Sequence, residues 1–68
     1  MQYRVISALG LSYNRAEFVQ KKLDGMLPEH RDTVKRMLDE YERIPYPCRR
    51  RWELRRMIAA VIGVELPV

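Results

Sequence analysis

The chain has 68 residues, 47% of them apolar and 32% charged, and thirteen lysines and arginines against nine carboxylates give a net charge of +4. That is a globular rather than a disordered composition, with room for a single small helical domain, residues 1–68. A core of this size supplies only about 3–5 kcal/mol, and one cysteine excludes an intramolecular disulfide.

Small proteins without such a staple commonly oligomerise, so a homodimer, or a protein completed by its partner, is expected. The longest apolar run, residues 57–64, is too short to span a membrane. The first ten residues lack the apolar stretch of a signal peptide. A cytoplasmic protein is expected.

In chain order, residues 2–9 first read as a short helix. Tyr3 and Val5 alternate as in a strand, but Val5, Ile6 and Leu9 share a helical face, and there is no second strand-like run to pair with. Gly10 is the stop. Leu11, Ser12 and Tyr13 form a turn, after which Ser12 or Asn14 caps a helix over 14–24. Asn14 and Glu17 have the spacing of a capping box. Ala16, Val19, Leu23 and Met26 fall on one stripe of that helix. Phe18 points away from it, between Arg15, Lys21 and Lys22, either against the first helix or as an exposed contact residue.

Gly25 ends the second helix, and Pro28 opens a third over 28–43, where a missing N–H is harmless. Glu29 and Asp32 favour the positive end of its dipole. Val34, Met37, Leu38, Tyr41 and Ile44 make its apolar face. Asp32 with Arg36, and Glu40 with Arg43, have ion-pair spacing on the outer face. Pro45 forces the end, because the residue before a proline is pushed out of helical geometry. A stiff segment, residues 44–47, leads to a fourth helix over 47–62, opened by Pro47 and stopped by Gly63. Residues 65–68 are a tail. The expected fold is all-α: three main helices plus a short N-terminal one.

The fourth helix has two apolar sides. Leu54, Met57, Ile58 and Val61 form the broad stripe expected to face the core. Trp52, Ala59 and Ile62 form a second line with Arg55 near it and Arg49 and Arg56 at its flanks. Five of the ten arginines lie within residues 49–56. Trp52 either covers a second packed side, with arginine stems along its ring, or stacks on a base among guanidinium groups that bind phosphate. Arg49, Arg50 and Arg51 sit at a helix N-terminus, where cations oppose the dipole. That placement makes sense where an anion binds.

Two resemblances bear on function. Residues 5–23, with Ala8-Leu9-Gly10-Leu11-Ser12 at their centre, resemble the helix-turn-helix of bacterial and phage regulators. The resemblance implies that Tyr13, Asn14, Arg15 and Glu17 open a recognition helix and reach base edges, with Lys21 and Lys22 approaching phosphates. In composition, Arg49 to Arg56 resembles the arginine-rich helices with which some phage antitermination proteins grip hairpin RNA.

Catalytic chemistry finds no footing. His30 stands among charged residues, far from the single Cys48, and the two make no metal site. Cys48, beside Arg49, is a small buried hydrophobe or a thiol of lowered pKa. Ser7 and Ser12 lack base partners, and no glycine-rich phosphate loop is present. Asp39 and Glu40 belong to a charged helix surface. The expectation is a non-enzymatic DNA- or RNA-binding regulatory or accessory protein, DNA ahead of RNA, without a cofactor. Arg49, Arg50, Arg51, Arg55 and Arg56 form its phosphate-contacting set, and Trp52 its stacking residue. The alternative is a small inhibitor or adaptor of phage or mobile-element type, docking the same face on an acidic protein surface. Membrane-surface binding is disfavoured because the apolar side of the basic helix is needed for the core.

Overall fold

The computed structural model describes residues 2–66, and every regular element among them is helical. Helix α1 spans Gln2–Leu9, a 3₁₀ turn at Tyr13–Arg15 runs into α2 at Ala16–Asp24, and α3 spans Pro28–Arg43. Helix α4 spans Arg49–Ile62. Of the tail expected over 65–68, Pro67 and Val68 lie outside the described residues.

Prolines set the limits of α3. Pro28 occupies the first turn after Leu27 in extended geometry, and the Leu27 carbonyl accepts the N–H groups of His30 and Arg31 at 3.0 and 3.1 Å. At the other end Ile44 is already extended, ψ 128°, as the residue before a proline must be. Val34 and Leu38 are fully buried, and Met37 and Tyr41 pack against the core beside them.

Two helices end on left-handed glycines. Gly10 has φ +67° and Gly63 φ +84°. Beyond Gly10, the Leu11 N–H reaches back to the Ile6 carbonyl at 3.0 Å and the Gly10 N–H to Ser7 at 3.3 Å. Beyond Gly63, the Val64 N–H bonds the Ala59 carbonyl at 3.0 Å. Both closures turn the next residue inward, so Leu11 and Val64 are buried, the apolar contact that accompanies this kind of helix end. Gly25 differs, with right-handed geometry at φ −83°.

The core is aliphatic. Val5, Ile6 and Leu9 of α1 meet Val19 and Leu23 of α2, Val34 and Leu38 of α3, and Ile58 and Ile62 of α4. Arg4 ties α1 to α3 from outside: its Nη2 donates to Asp39 at 2.7 Å, its Nε to Glu42 at 2.8 Å, and Nη2 also reaches the second Glu42 oxygen at 3.0 Å. Charge-assisted, two-pronged bonds of this kind are stronger and more directional than single ones. They hold the Asp39 and Glu42 carboxyls below the usual carboxylate range and raise the Arg4 guanidinium above its own ordinary value.

Several expectations are corrected. The broad stripe of α4 is rotated by nearly a quarter turn: Leu54, Ile58, Ala59 and Ile62 are buried, whereas Met57 and Val61 are exposed. Arg51 and Arg55 explain the rotation, because both turn toward the other helices, as described below. Helix α4 begins at Arg49 rather than at Pro47, which follows a cis peptide bond, with Cys48 extended at the N-cap position. The capping box is not formed. Asn14 lies inside the 3₁₀ turn, which uses the Ser12 carbonyl to accept the Arg15 N–H at 3.1 Å, and neither Ser12 nor Arg15 makes a side-chain cap bond.

Glu40 pairs with Arg50 of α4 at 2.8 Å, and no pair with Arg43, nor one between Asp32 and Arg36, is found among the described residues. A guanidinium on the facing helix meets the carboxylate in better geometry than a neighbour along the same exposed surface, where such pairs contribute only about 0.2–0.5 kcal/mol. Phe18 is 41% exposed and lies under Arg15 and Lys22.

Two stability predictions follow from these contacts. An alanine at Gly10 would combine a left-handed backbone with a Cβ 3.1 Å from the Arg55 guanidinium. Gly10→Ala is therefore expected to cost about 1–2 kcal/mol, whereas Gly25→Ala, with ordinary contacts and right-handed φ, should be neutral or stabilising by up to about 1 kcal/mol. Urea unfolding followed by circular dichroism checks both.

The second concerns pH. Asp39 and Glu42 titrate lower in the folded chain than in the unfolded one. Their contribution is complete above the unfolded carboxylate pKa of about 4 and is lost as pH falls through the folded values. Thermal melts should show Tm dropping on acidification from about pH 7 to about pH 3. Arg4→Gln should start lower at neutral pH and drop less. An equal drop in both proteins would show that the Arg4 contacts do not carry the effect.

Candidate functional site

The two residues before α4 are Pro47, on its cis bond, and Cys48, whose carbonyl receives the N–H groups of Arg51 and Trp52 at 3.1 and 3.4 Å. This first turn throws four consecutive long side chains into different surroundings, and those surroundings divide the arginines. Arg50 turns to α3, where its Nε donates to Glu40 at 2.8 Å, with Glu53 a further 3.7 Å neighbour. The bond keeps the Glu40 carboxyl below its ordinary range and raises Arg50.

Arg51 turns inward. Its guanidinium lies 4.1 Å from the centre of the Tyr41 ring and 5.9 Å from that of Tyr46. Arg55, one turn on, donates Nη2 to the carbonyl of Leu9 at 2.8 Å and stands 5.8 Å from the Trp52 ring. That carbonyl belongs to the last turn of α1, where carbonyls lack partners within the helix and the dipole is negative. The Nε atoms of Arg51 and Arg55 are buried without a hydrogen-bond partner, so stacking and the Leu9 contact orient these side chains.

Two arginines of the set stay in solvent. The Arg49 side chain is 94% exposed, with only a loose 3.7 Å approach to Glu53. Arg56 is exposed, and no ion pair of Arg56 is found among the described residues. Trp52 lies between them along the helix and is 60% exposed. Arg49, Trp52, Glu53 and Arg56 wall one shallow depression. On the other side of the indole is a cleft of about 140 Å³, walled by Tyr41, Tyr46, Arg51, Trp52 and Arg55. Half-buried Cys48 also lines it, as a free thiol.

The residues expected to read bases are exposed. Tyr13 packs on Tyr3, ring centres 6.2 Å apart. Arg15 and Lys22 bracket Phe18 at 5.2 and 5.5 Å, the same spacing along the helix by which Arg49 and Arg56 bracket Trp52. Asn14 and Lys21 are exposed without side-chain hydrogen bonds among the described residues. The Lys22 ammonium lies beside Gly63, 4.0 Å from where a Cβ there would sit, at the end of α4 opposite Trp52.

Sequence reasoning passed over Tyr3, Tyr41 and Tyr46, which line the depressions next to the arginine helix. They come from α1, α3 and the segment before α4, and no local spacing connects them. Among the described residues no group of three metal-ligating side chains is found, and no helix is long and apolar enough to cross a membrane. Comparison with protein-family models, with curated proteins and with solved structures finds no match to this chain.

An indole this exposed contributes little to the core. Trp52→Ala is therefore expected to shift folding stability by no more than about 0.5–1 kcal/mol, against about 2–5 kcal/mol for Leu38→Ala at a fully buried site. Denaturant titration of the two variants distinguishes a covering role for Trp52 from a role at the surface. A multi-kilocalorie loss on removing Trp52 would assign it to packing.

Proposed function

We propose that this is a non-enzymatic nucleic-acid-binding protein of regulatory or accessory type, and that the N-terminal half of α4 is its contact surface. The observation that carries the reading is the exposed Trp52 ring between the two solvent-facing guanidinium groups of Arg49 and Arg56. An indole face stacks on bases, and guanidinium groups one turn to either side meet phosphates. The excess of cations over carboxylates gives long-range attraction to a polyanion.

Within the arginine set the roles divide. Arg49 and Arg56 contact phosphate. Arg50, held by Glu40, positions the helix, and Arg51 and Arg55 support the aromatic rings from beneath. Of the two surfaces suggested by resemblance, α4 is the better supported. Arg15 of the helix-turn-helix segment is engaged with Phe18 of the same chain.

A protein-binding role, as an inhibitor or adaptor or through self-association, is the second reading. It is favoured by Met57 and Val61, neighbours on α4 that the rotated core leaves exposed, since contiguous apolar surface marks interaction sites.

Trp52 is the only tryptophan, so its emission reports binding directly. Titration with generic DNA and RNA at two salt concentrations should show quenching and an affinity that falls with salt, by a log–log slope of about 0.7–0.9 per phosphate neutralised. The Arg49→Ala/Arg56→Ala double variant should bind more weakly and reduce that slope by about 2. Unchanged affinity and slope in the double variant, or no binding at low salt, would sink the proposal.

A further inference from the structure

All four tyrosines and the tryptophan lie on one continuous surface. Tyr13, at the start of the 3₁₀ turn, packs on Tyr3 of α1 at 6.2 Å. Tyr3 shares the wall of a depression with Tyr41 of α3 and Arg51 of α4. Tyr41 and Arg51 are also walls of the cleft that Tyr46 and Trp52 complete. Trp52 then forms the near wall of the last depression, with Arg49 and Arg56 beyond it. Each step shares a residue with the next.

Packing does not require this track. Tyr46 is 82%, Tyr13 70% and Tyr3 61% exposed, and only Tyr41 also packs on the core. Rings brought together from α1, the 3₁₀ turn, α3, the following segment and α4, and then left in solvent, mark a recognition surface.

Cations are interleaved with the rings. Arg51 lies over Tyr41 and near Tyr46, and Arg55 beside Trp52. The carboxylates along the track already have partners: Glu42 is held by Arg4, and Glu53 has Arg49 and Arg50 within 3.7 Å. A polyanion with flat faces therefore meets both requirements along the track's length. In a duplex the base faces are covered by their neighbours and only edges are open in the grooves. In a single strand the faces are free to stack on aromatic rings and guanidinium planes.

We infer that the ligand of this surface is single-stranded nucleic acid, laid across α4, α3 and α1 with bases stacking along Trp52, Tyr46, Tyr3 and Tyr13. This deepens the proposed function and rests on it: Arg49, Arg56 and Trp52 form one end of the track.

The test uses fluorescence anisotropy of the full chain with labelled oligothymidylate of about twenty residues, the same polymer at about four residues, and a duplex of about twenty base pairs, all at one salt concentration. Single-stranded twenty-mer is expected to bind at least about tenfold tighter than the duplex. Tyr13→Ala and Tyr46→Ala, at exposed positions with little to lose in folding, should each weaken the twenty-mer by about 5- to 100-fold, the range that base–aromatic stacking implies. Tyr13→Phe and Tyr46→Phe, which keep the ring face, should restore it. The four-mer, with fewer bases to stack, should bind more weakly than the twenty-mer. Equal or tighter duplex binding, or twenty-mer affinity indifferent to both tyrosines, overturns the single-strand inference while leaving Arg49 and Arg56 as phosphate contacts. Absence of binding to all three overturns the proposed function itself.

Discussion

The hydrogen bond from Arg55 to the Leu9 carbonyl joins the inner side of α4 to the negative end of α1. Its position decides which way the fourth helix faces. With Arg55 turned toward α1, Ile58 and Ile62 follow it inward along the same side, and Trp52 is left at the margin of the buried arc. Turning α4 so that Met57 and Val61 were buried would withdraw the guanidinium from a carbonyl that no longer has a partner within its own helix. Gly10 is part of the same arrangement. Its left-handed turn lets the chain leave α1, and its missing Cβ leaves room for the guanidinium 3.1 Å from where that atom would be.

Around this contact the charged residues divide by function. Arg4 and Arg50 are ties between helices, each fixed on carboxylates of α3. Arg51 and Arg55 are half-buried, Arg51 over the Tyr41 ring and Arg55 held by the Leu9 carbonyl beside Trp52. Arg49 and Arg56 face solvent, Arg49 with only a loose approach to Glu53. Residues that look alike in a run of arginines therefore have three different surroundings, and only one leaves the charge available to something else. Surface ion pairs of this exposure add little to stability. What Arg4 and Arg50 supply is the orientation of α1 and α4 on α3.

Much of the fold was legible because punctuation and periodicity agreed. Pro28 and Pro45 bracket a strong helical pattern, and α3 runs between them as read. Gly10 and Gly63 stop their helices in the left-handed conformation expected of them. The register of α4 was misread because Arg51 and Arg55, which are partly covered, lie on the side that packs. The second apolar line, Ala59 and Ile62, was visible in the sequence but ranked below Met57 and Val61. The capping box failed for a local reason: a 3₁₀ turn took up the backbone groups that it needed. The aromatic track was illegible on other grounds. Tyr3, Tyr13, Tyr41 and Tyr46 are scattered through the chain, and only the packing of α1 and α3 against α4 sets them side by side.

The interior consists of aliphatic side chains alone: no ring is among the fully buried described residues. Every strong near-ultraviolet chromophore of the described chain therefore reports from the outside or its border. Indole emission and tyrosine absorbance will follow what approaches the surface, while the backbone signal of the helices records most directly whether the core has melted. The protein is optically sensitive to its surroundings.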